Sequence, residues 1–324
     1  MIFLASLVLG GLASAQQRPN VLLLYSDDHD FVQVGAYGGD AYTPAIDKLA
    51  AEGYKALGGH ITSAVCTPSR WSVLNGQYAS RNKKVLNLFP AGTQASIEWN
   101  TFMMPGDLTL PMVLRDDGYK TGIVGKWHLG VPRPPVVPAF DDTEALLANN
   151  MLVRQHCEEF GFENASRVYR TNIDTPSLPP ELKYHNLEWL TEGALEFMDY
   201  ATSSGDPFFL YYSFTIPHSP SPIESLESTQ YVTPMGILYE GLDPSEWPES
   251  AQPHRFPRST VRDRAYANGF AGGDFYVGAA ITWMDDAVDA VMEKVKDLEQ
   301  ENHTLTFFIS DHQSWDLGKG SVYV

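Results

Sequence analysis

Cysteine is scarce in this 324-residue chain, which has only Cys66 and Cys157. A scaffold stapled by several disulfides is therefore excluded. One pairing between the two stays open from sequence, and the alternative is a thiol kept for its chemistry. Basic residues are also few: 22 Lys and Arg face 40 Asp and Glu, for a formal charge of −18 without long single-sign runs. Such a chain is a poor partner for nucleic acid or an anionic membrane. Screening over about 8 Å at physiological salt still leaves room for a local anion site built from Lys, Arg, His or a metal. No apolar run reaches the roughly 20 residues that span a bilayer. The apolar stretch at residues 2–12 is followed by Ala13-Ser14-Ala15 in an A-x-A cleavage pattern, so residues 1–15 are expected to be a signal peptide. That places the protein in the secretory route: extracellular, periplasmic or lysosomal. The sequons Asn164-Ala165-Ser166 and Asn302-His303-Thr304 fit that route as glycosylation sites. Internal repeats are absent.

What is present reads as alternating strands and helices. The continuous apolar run at residues 20–25 has the pattern of a strand buried on both faces, and it ends in Asp27-Asp28. Thr43-Pro44, followed by Ile46, Leu49, Ala50 and Tyr54, predicts an N-capped helix. Strand candidates recur at 121–125, 208–214 and 304–310, running into Lys126-Trp127-His128, Pro217-His218 and Asp311-His312. The clearest helix covers 275–298, where Val277, Ile281, Met284, Val288, Val291, Met292 and Val295 make an apolar stripe. The expected fold is α/β: a doubly wound, largely parallel sheet with helices on both faces. Ligands bind such sheets outside the carboxyl ends of the strands. Four strand ends would deliver aspartates, histidines and a lysine to one rim. Residues 131–150 and 219–259, rich in proline and polar side chains, read as long surface loops.

Three carboxylates and an imidazole from Asp27-Asp28 and Asp311-His312 suit a hard cation such as calcium, with magnesium or manganese as alternatives. Helix capping is the structural alternative for the aspartates. Cys66-Thr67-Pro68-Ser69-Arg70 precedes a segment closed by Gly76, which predicts a short helix with Cys66 at its positive end and Arg70 one turn along on the same face. That setting stabilises a developing anion.

The C-x-P-S-R run at Cys66 to Arg70, with Leu74 and Gly76 after it, resembles the formylglycine-dependent, arylsulfatase-like sulfatases of the alkaline phosphatase-like superfamily. Gly118-Tyr119-Lys120-Thr121-Gly122, Gly125-Lys126-Trp127-His128-Leu129-Gly130, the opening Arg18-Pro19-Asn20-Val21 and the close Ser310-Asp311-His312 match as well. The resemblance implies conversion of Cys66 to formylglycine by a formylglycine-generating enzyme. It implies one calcium ion held by Asp27, Asp28, Asp311 and His312 together with the side chain derived from Cys66. Arg70 and Lys126 would hold the formylglycine hydrate, His128 would act as base, His218 would protonate the leaving alcohol, and Lys319 would contact sulfate. The implied substrate is a sulfated glycan or small sulfate ester. A phosphoester hydrolase of the same superfamily and a non-catalytic truncated homologue are the alternatives. Gln313 stands where the family usually has glycine. The family pattern continues past this point with a further strand and a smaller C-terminal domain, so residues 16–324 are expected to be a catalytic domain truncated at its C-terminal end.

Overall fold

The computed structural model describes residues 18–131, 134, 136–269, 275–314 and 317–319. The expected signal peptide at 1–15 lies outside the described residues. The chain runs β1 (Asn20–Asp27), α1 (Pro44–Glu52), α2 (Cys66–Asn75), α3 (Lys83–Leu88), α4 (Leu110–Asp116), β2 (Lys120–Lys126), α5 (Thr143–Glu159), β3 (Asn164–Tyr169), α6 (Leu187–Ser204), β4 (Phe208–Pro217), α7 (Pro222–Leu226), β5 (Tyr231–Thr233), β6 (Gly236–Tyr239), α8 (Val261–Ala267), α9 (Phe275–Asp297) and β7 (Thr304–Ser310). Five strands form one parallel sheet in the order β3-β2-β4-β1-β7. A separate hairpin pairs β5 with β6.

Side chains alternate across a strand, so a strand covered on both faces must be apolar throughout. β1 and β4 satisfy this. Leu22, Leu24, Leu210, Tyr212 and Phe214 pack with Trp189, Leu190 and Phe197 of α6 and Ile281, Met284 and Val288 of α9. Leu23, Tyr25, Phe209 and Tyr211 face Trp71 and Leu74 of α2 and Val153 and Cys157 of α5. The expected doubly wound α/β architecture is therefore present. No helix among the described residues is long and apolar enough to cross a membrane.

Several local expectations need correction. Residues 131–150 are not all loop: α5 starts at Thr143, where Asp142 accepts from Ala145 N, and buries Leu146, Asn150, Val153 and Cys157 at helical spacing. The 219–259 stretch holds α7 and the β5–β6 hairpin between its loops. β3 has no apolar run because it is an outer strand; its Arg167 pairs with Glu192 and Glu196 of α6. Thr43 does not cap α1. Asp285 of α9 does so across the fold, accepting from Ala45 N at 3.0 Å and Ile46 N at 2.8 Å. α1 also closes at Glu52, which leaves Tyr54 exposed rather than on its apolar face.

The approach of β2 to β4 depends on a glycine. Gly125 has φ +95°, and a Cβ there would lie 1.7 Å from Ser213 O. Gly205, which ends α6 at φ +76°, has open space around it. Replacing Gly205 by Ala should cost about 1 kcal/mol of left-handed strain. Gly125→Ala should cost at least about 3 kcal/mol, because β2 must also move off β4. Urea unfolding of both variants checks this, and equal losses would show that the close approach is not a constraint.

Candidate active site

All four strand ends singled out above open on one cluster. Asp27 is the last residue of β1 and Asp28 follows in the left-handed region at φ 64°, which a non-glycine residue adopts only when its surroundings hold it there. Lys126, the last residue of β2, donates to both Asp27 oxygens at 2.8 and 2.7 Å. Arg70 Nη2 bridges Asp27 Oδ1 at 3.0 Å and Asp311 Oδ2 at 2.8 Å, while its Nη1 donates to Ser213 Oγ at 2.5 Å. Asp311 Oδ1 accepts from Asp28 N at 3.0 Å and His312 N at 2.9 Å. Lys319 Nζ donates to Asp28 Oδ2, and His218 Nε2 lies 3.8 Å from that oxygen.

Cys66 is fully buried as the first residue of α2. Its Sγ lies within 4.8 Å of ligand atoms of Asp28 and His218, and likewise of Asp311 and His312. Pro68 sits in the first turn of α2, where backbone N–H groups have no helical partner, and Gly76 ends the helix at φ 63°. Both cysteines are unpaired. Cys157 lies in the core under α5, where burial pushes its thiol well up and leaves it inert.

Opposite charges meet in a water-poor space: Asp27, Asp28 and Asp311 face Arg70, Lys126 and Lys319, with His312 beside them. Burial by itself would raise Asp27, yet Lys126, His218 and Arg70 hold its carboxyl well below the usual range. Burial opposes the Arg70 charge, but Asp311 and Asp27 keep it protonated. His128 is driven well below its ordinary value by burial and then by Lys126 and Arg70, so it is a neutral imidazole at pH 7. Its backbone N is fixed on Arg170 O at 3.0 Å, and its Nδ1 is buried without a hydrogen-bond partner. His312 behaves oppositely: burial would lower it, but Asp311, Cys66 and Asp28 hold it up to about 9.

The donor set fits a hard cation. Carboxylate oxygens of Asp27, Asp28 and Asp311 lie within 4.8 Å of one another. Asp28 Oδ1 and His312 Nε2 are buried without hydrogen-bond partners; His312 Nδ1, 3.3 Å from Asp28 Oδ1, is bonded to Gln313 O instead. An oxygen-rich site with an orphaned carboxylate oxygen, Asp28 Oδ1, suits calcium or a similar ion.

The structure thus gathers Asp27, Asp28, Cys66, Arg70, Lys126, His218, Asp311, His312 and Lys319, with His128 coupled to them by charge. Sequence reasoning missed Ser213, whose hydroxyl donates to Lys126 O at 2.7 Å while accepting from Arg70. Its signal was one polar residue inside the apolar run of β4. Ser69 was seen only as a motif letter; it donates to Asp311 O at 2.5 Å and ties α2 to the end of β7. Of three tryptophans whose rings could stack on a sugar, Trp127 is buried with Nε1 on His156, Trp247 is buried against Arg258, and Trp99 is exposed.

Comparison with known proteins agrees with this arrangement. The family model described as Sulfatase matches residues 19–314. An arylsulfatase of Hemicentrotus pulcherrimus is 27% identical over 308 residues, covering 91% of this chain and 47% of its own length. Arylsulfatase A of Bos taurus is 28% identical over 319 residues, covering 93% and 53%. The chain therefore spans about half the length of these relatives. The solved structure of Ps i-CgsB in complex with k-i-k-neocarrahexaose shares the fold, with a TM-score of 0.57 at 20% identity over 94% of this chain and 61% of that one. A match over nearly the whole chain, together with a cysteine-led helix set among these strand ends, identifies the chain as a member of the sulfatase family.

Proposed function

We propose that residues 16–324 form the catalytic domain of a secreted sulfatase that hydrolyses the sulfate ester of a sulfated carbohydrate or an aryl sulfate. The observation that carries this reading is the burial of Cys66 at the start of α2 against Asp28, His218, Asp311 and His312. A sulfate monoester demands neutralisation of its oxygens, an activated oxygen nucleophile and a proton for the departing alcohol. Formylglycine, made from Cys66 by a formylglycine-generating enzyme, would supply the nucleophilic oxygen. Calcium on Asp27, Asp28, Asp311 and His312 would add fixed positive charge.

The chain's own residues provide the rest. Arg70 and Lys126, locked by Asp27, Asp311 and Ser213, present preorganised cations beside position 66. Lys319 adds a third near Asp28 for the sulfate. His128, neutral through burial and neighbouring cations, is suited to accept a proton from the nucleophile's hydrate. His218 presents Nε2 to the same space as the donor to the leaving alcohol. The oligosaccharide held by Ps i-CgsB and the aryl esters named for the curated relatives support these two substrate classes. Pro68 and Arg70 beside Cys66 favour sulfate over phosphoester chemistry. The leader pattern at 1–15 supports a secretory-pathway location.

Protein made alongside a formylglycine-generating enzyme should show an aldehyde at position 66 by peptide mass analysis and should turn over 4-nitrophenyl sulfate; Cys66→Ala should reduce turnover to background. An unmodified thiol under those conditions would count decisively against the reading. Chelation should lower the melting temperature, and calcium at one hundred times its dissociation constant should restore about 2.7 kcal/mol. Asp311→Asn should abolish that calcium-dependent gain. A wild-type protein whose melting curve ignores both chelator and calcium would remove the cation from this account.

A further inference from the structure

The turn carrying His218 is held from two directions. On one side, His185, just ahead of α6, places Nε2 3.0 Å from Pro220 O and Nδ1 2.9 Å from Thr215 Oγ1. A carbonyl only accepts, so Nε2 carries the proton and Nδ1 accepts from the Thr215 hydroxyl. Burial lowers His185 to about 4, which keeps this neutral arrangement at pH 7. Its backbone N also donates to Ser225 Oγ at 2.8 Å. The backbone on both sides of His218 is thereby tied to α6 and α7, but these bonds leave the His218 ring itself unfixed.

The ring is fixed from the other side. His218 Nδ1 lies 2.9 Å from Ser219 O and 3.1 Å from Ser219 Oγ, and Ser219 Oγ donates to Asp174 Oδ2 at 2.7 Å. A carboxylate has no proton to give, so the serine hydroxyl is committed to Asp174 and its oxygen can only accept from Nδ1. Both neighbours of Nδ1 are then acceptors. The proton stays on Nδ1, and Nε2 lies 3.8 Å from Asp28 Oδ2 in the cluster that includes Cys66.

We propose that Asp174, acting through Ser219, is a positioning residue that holds His218 in the Nδ1-protonated orientation with Nε2 turned to the reacting centre. The inference rests on the reading that His218 protonates the leaving alcohol. In that step the S–O bond to the alcohol breaks with its electron pair going to the alcohol oxygen, and the sulfur forms a new bond to the nucleophile oxygen at position 66, which attacks as an oxyanion after giving up its proton. The Nε2–H bond breaks, its proton goes to the alcohol oxygen, and the imidazolium becomes a neutral ring protonated on Nδ1. That is the tautomer Ser219 and Asp174 already stabilise. Without Asp174 the Ser219 hydroxyl can rotate and donate into Nδ1 in competition with the Ser219 carbonyl, so the opposite tautomer becomes accessible beside the one the carbonyl favours. A carboxylate that fixes a histidine tautomer is a recognised catalytic aid; here it works through an intervening hydroxyl. Asp174 sits exposed on the turn after β3, so its replacement leaves the core intact.

The test uses calcium-loaded protein modified at position 66 and a series of aryl sulfates from 4-nitrophenyl to 4-methoxyphenyl. Nitrophenolate departs without a proton, whereas the less acidic phenol needs one. Asp174→Ala should lose about 2-fold in kcat at the nitrophenyl end and about 10-fold or more at the methoxyphenyl end, with KM unchanged. Asp174→Asn, whose Oδ1 still accepts from Ser219, should recover most of the loss. In protein labelled with 15N-histidine and brought to a pH at which the ring is neutral, the His218 ring, assigned with His218→Gln, should show the Nδ1–H tautomer in the wild type and a larger share of the Nε2–H tautomer in Asp174→Ala. Equal losses across the series, or unchanged rates with an unchanged ring signal, would overturn the proposal. Wild-type protein inactive on every sulfate would instead sink the parent reading, while the ring signal would still report whether Asp174 sets the tautomer.

Discussion

The guanidinium of Arg70 is the contact through which the separate parts of this centre are held together. It lies fully buried, joins Asp27 at the end of β1 to Asp311 after β7, reaches Ser213 on β4, and lies over the Tyr25 ring with its carbon 5.2 Å from the centroid. A charge in such a space is tolerable only when paired and hydrogen-bonded, as both Nη atoms are here while Nε has no partner; removing one partner of a buried pair typically costs about 3–5 kcal/mol. Three strands and α2 are therefore coupled through one side chain. Because Cys66 lies one helical turn before Arg70, the bridge also fixes where position 66 points.

The surrounding fold makes that bridge geometrically possible. A parallel sheet sends all its strands' carboxyl ends to one edge, so residues nearly 300 positions apart in sequence meet without long loops. Gly125 lets β2 come close enough to β4 for Ser213 to hold the Lys126 carbonyl. Asp285 ties α9 to the start of α1 through two directed bonds, and Ser69 ties α2 to the strand end at Asp311 through one. Function then draws on rigidity: the cations that would meet a sulfate are already desolvated and held by carboxylates, so little reorganisation accompanies binding.

Two histidines of this centre show how environment assigns roles to one residue type. Cations and burial leave His128 neutral and able to accept. Ser219 and Asp174 turn His218 so that its Nε2 meets the centre. Neither difference is encoded in the local sequence, where both are polar residues after an apolar strand.

Much was legible in the sequence because it depends on short-range chemistry. Apolar runs marked β1, β2, β4 and β7, although β7 leaves Leu305, Phe307 and Ile309 exposed; the Pro68 and Gly76 punctuation marked α2; and the C-x-P-S-R spacing marked the family and position 66. Elements that rely on partners were not legible. β3 is an outer strand held partly by Arg167 pairing with α6, α1 takes its cap from Asp285 some 240 residues away, and Ser213 and Asp174 look ordinary until the chain is folded. The sequence by itself determined the strand-helix grammar, the cysteine and the set of ionisable groups, since these follow from residue type and spacing. Tertiary structure alone decided which carboxylate meets which cation and which nitrogen of each histidine faces the site, because those depend on distances of a few ångströms between segments far apart in the chain.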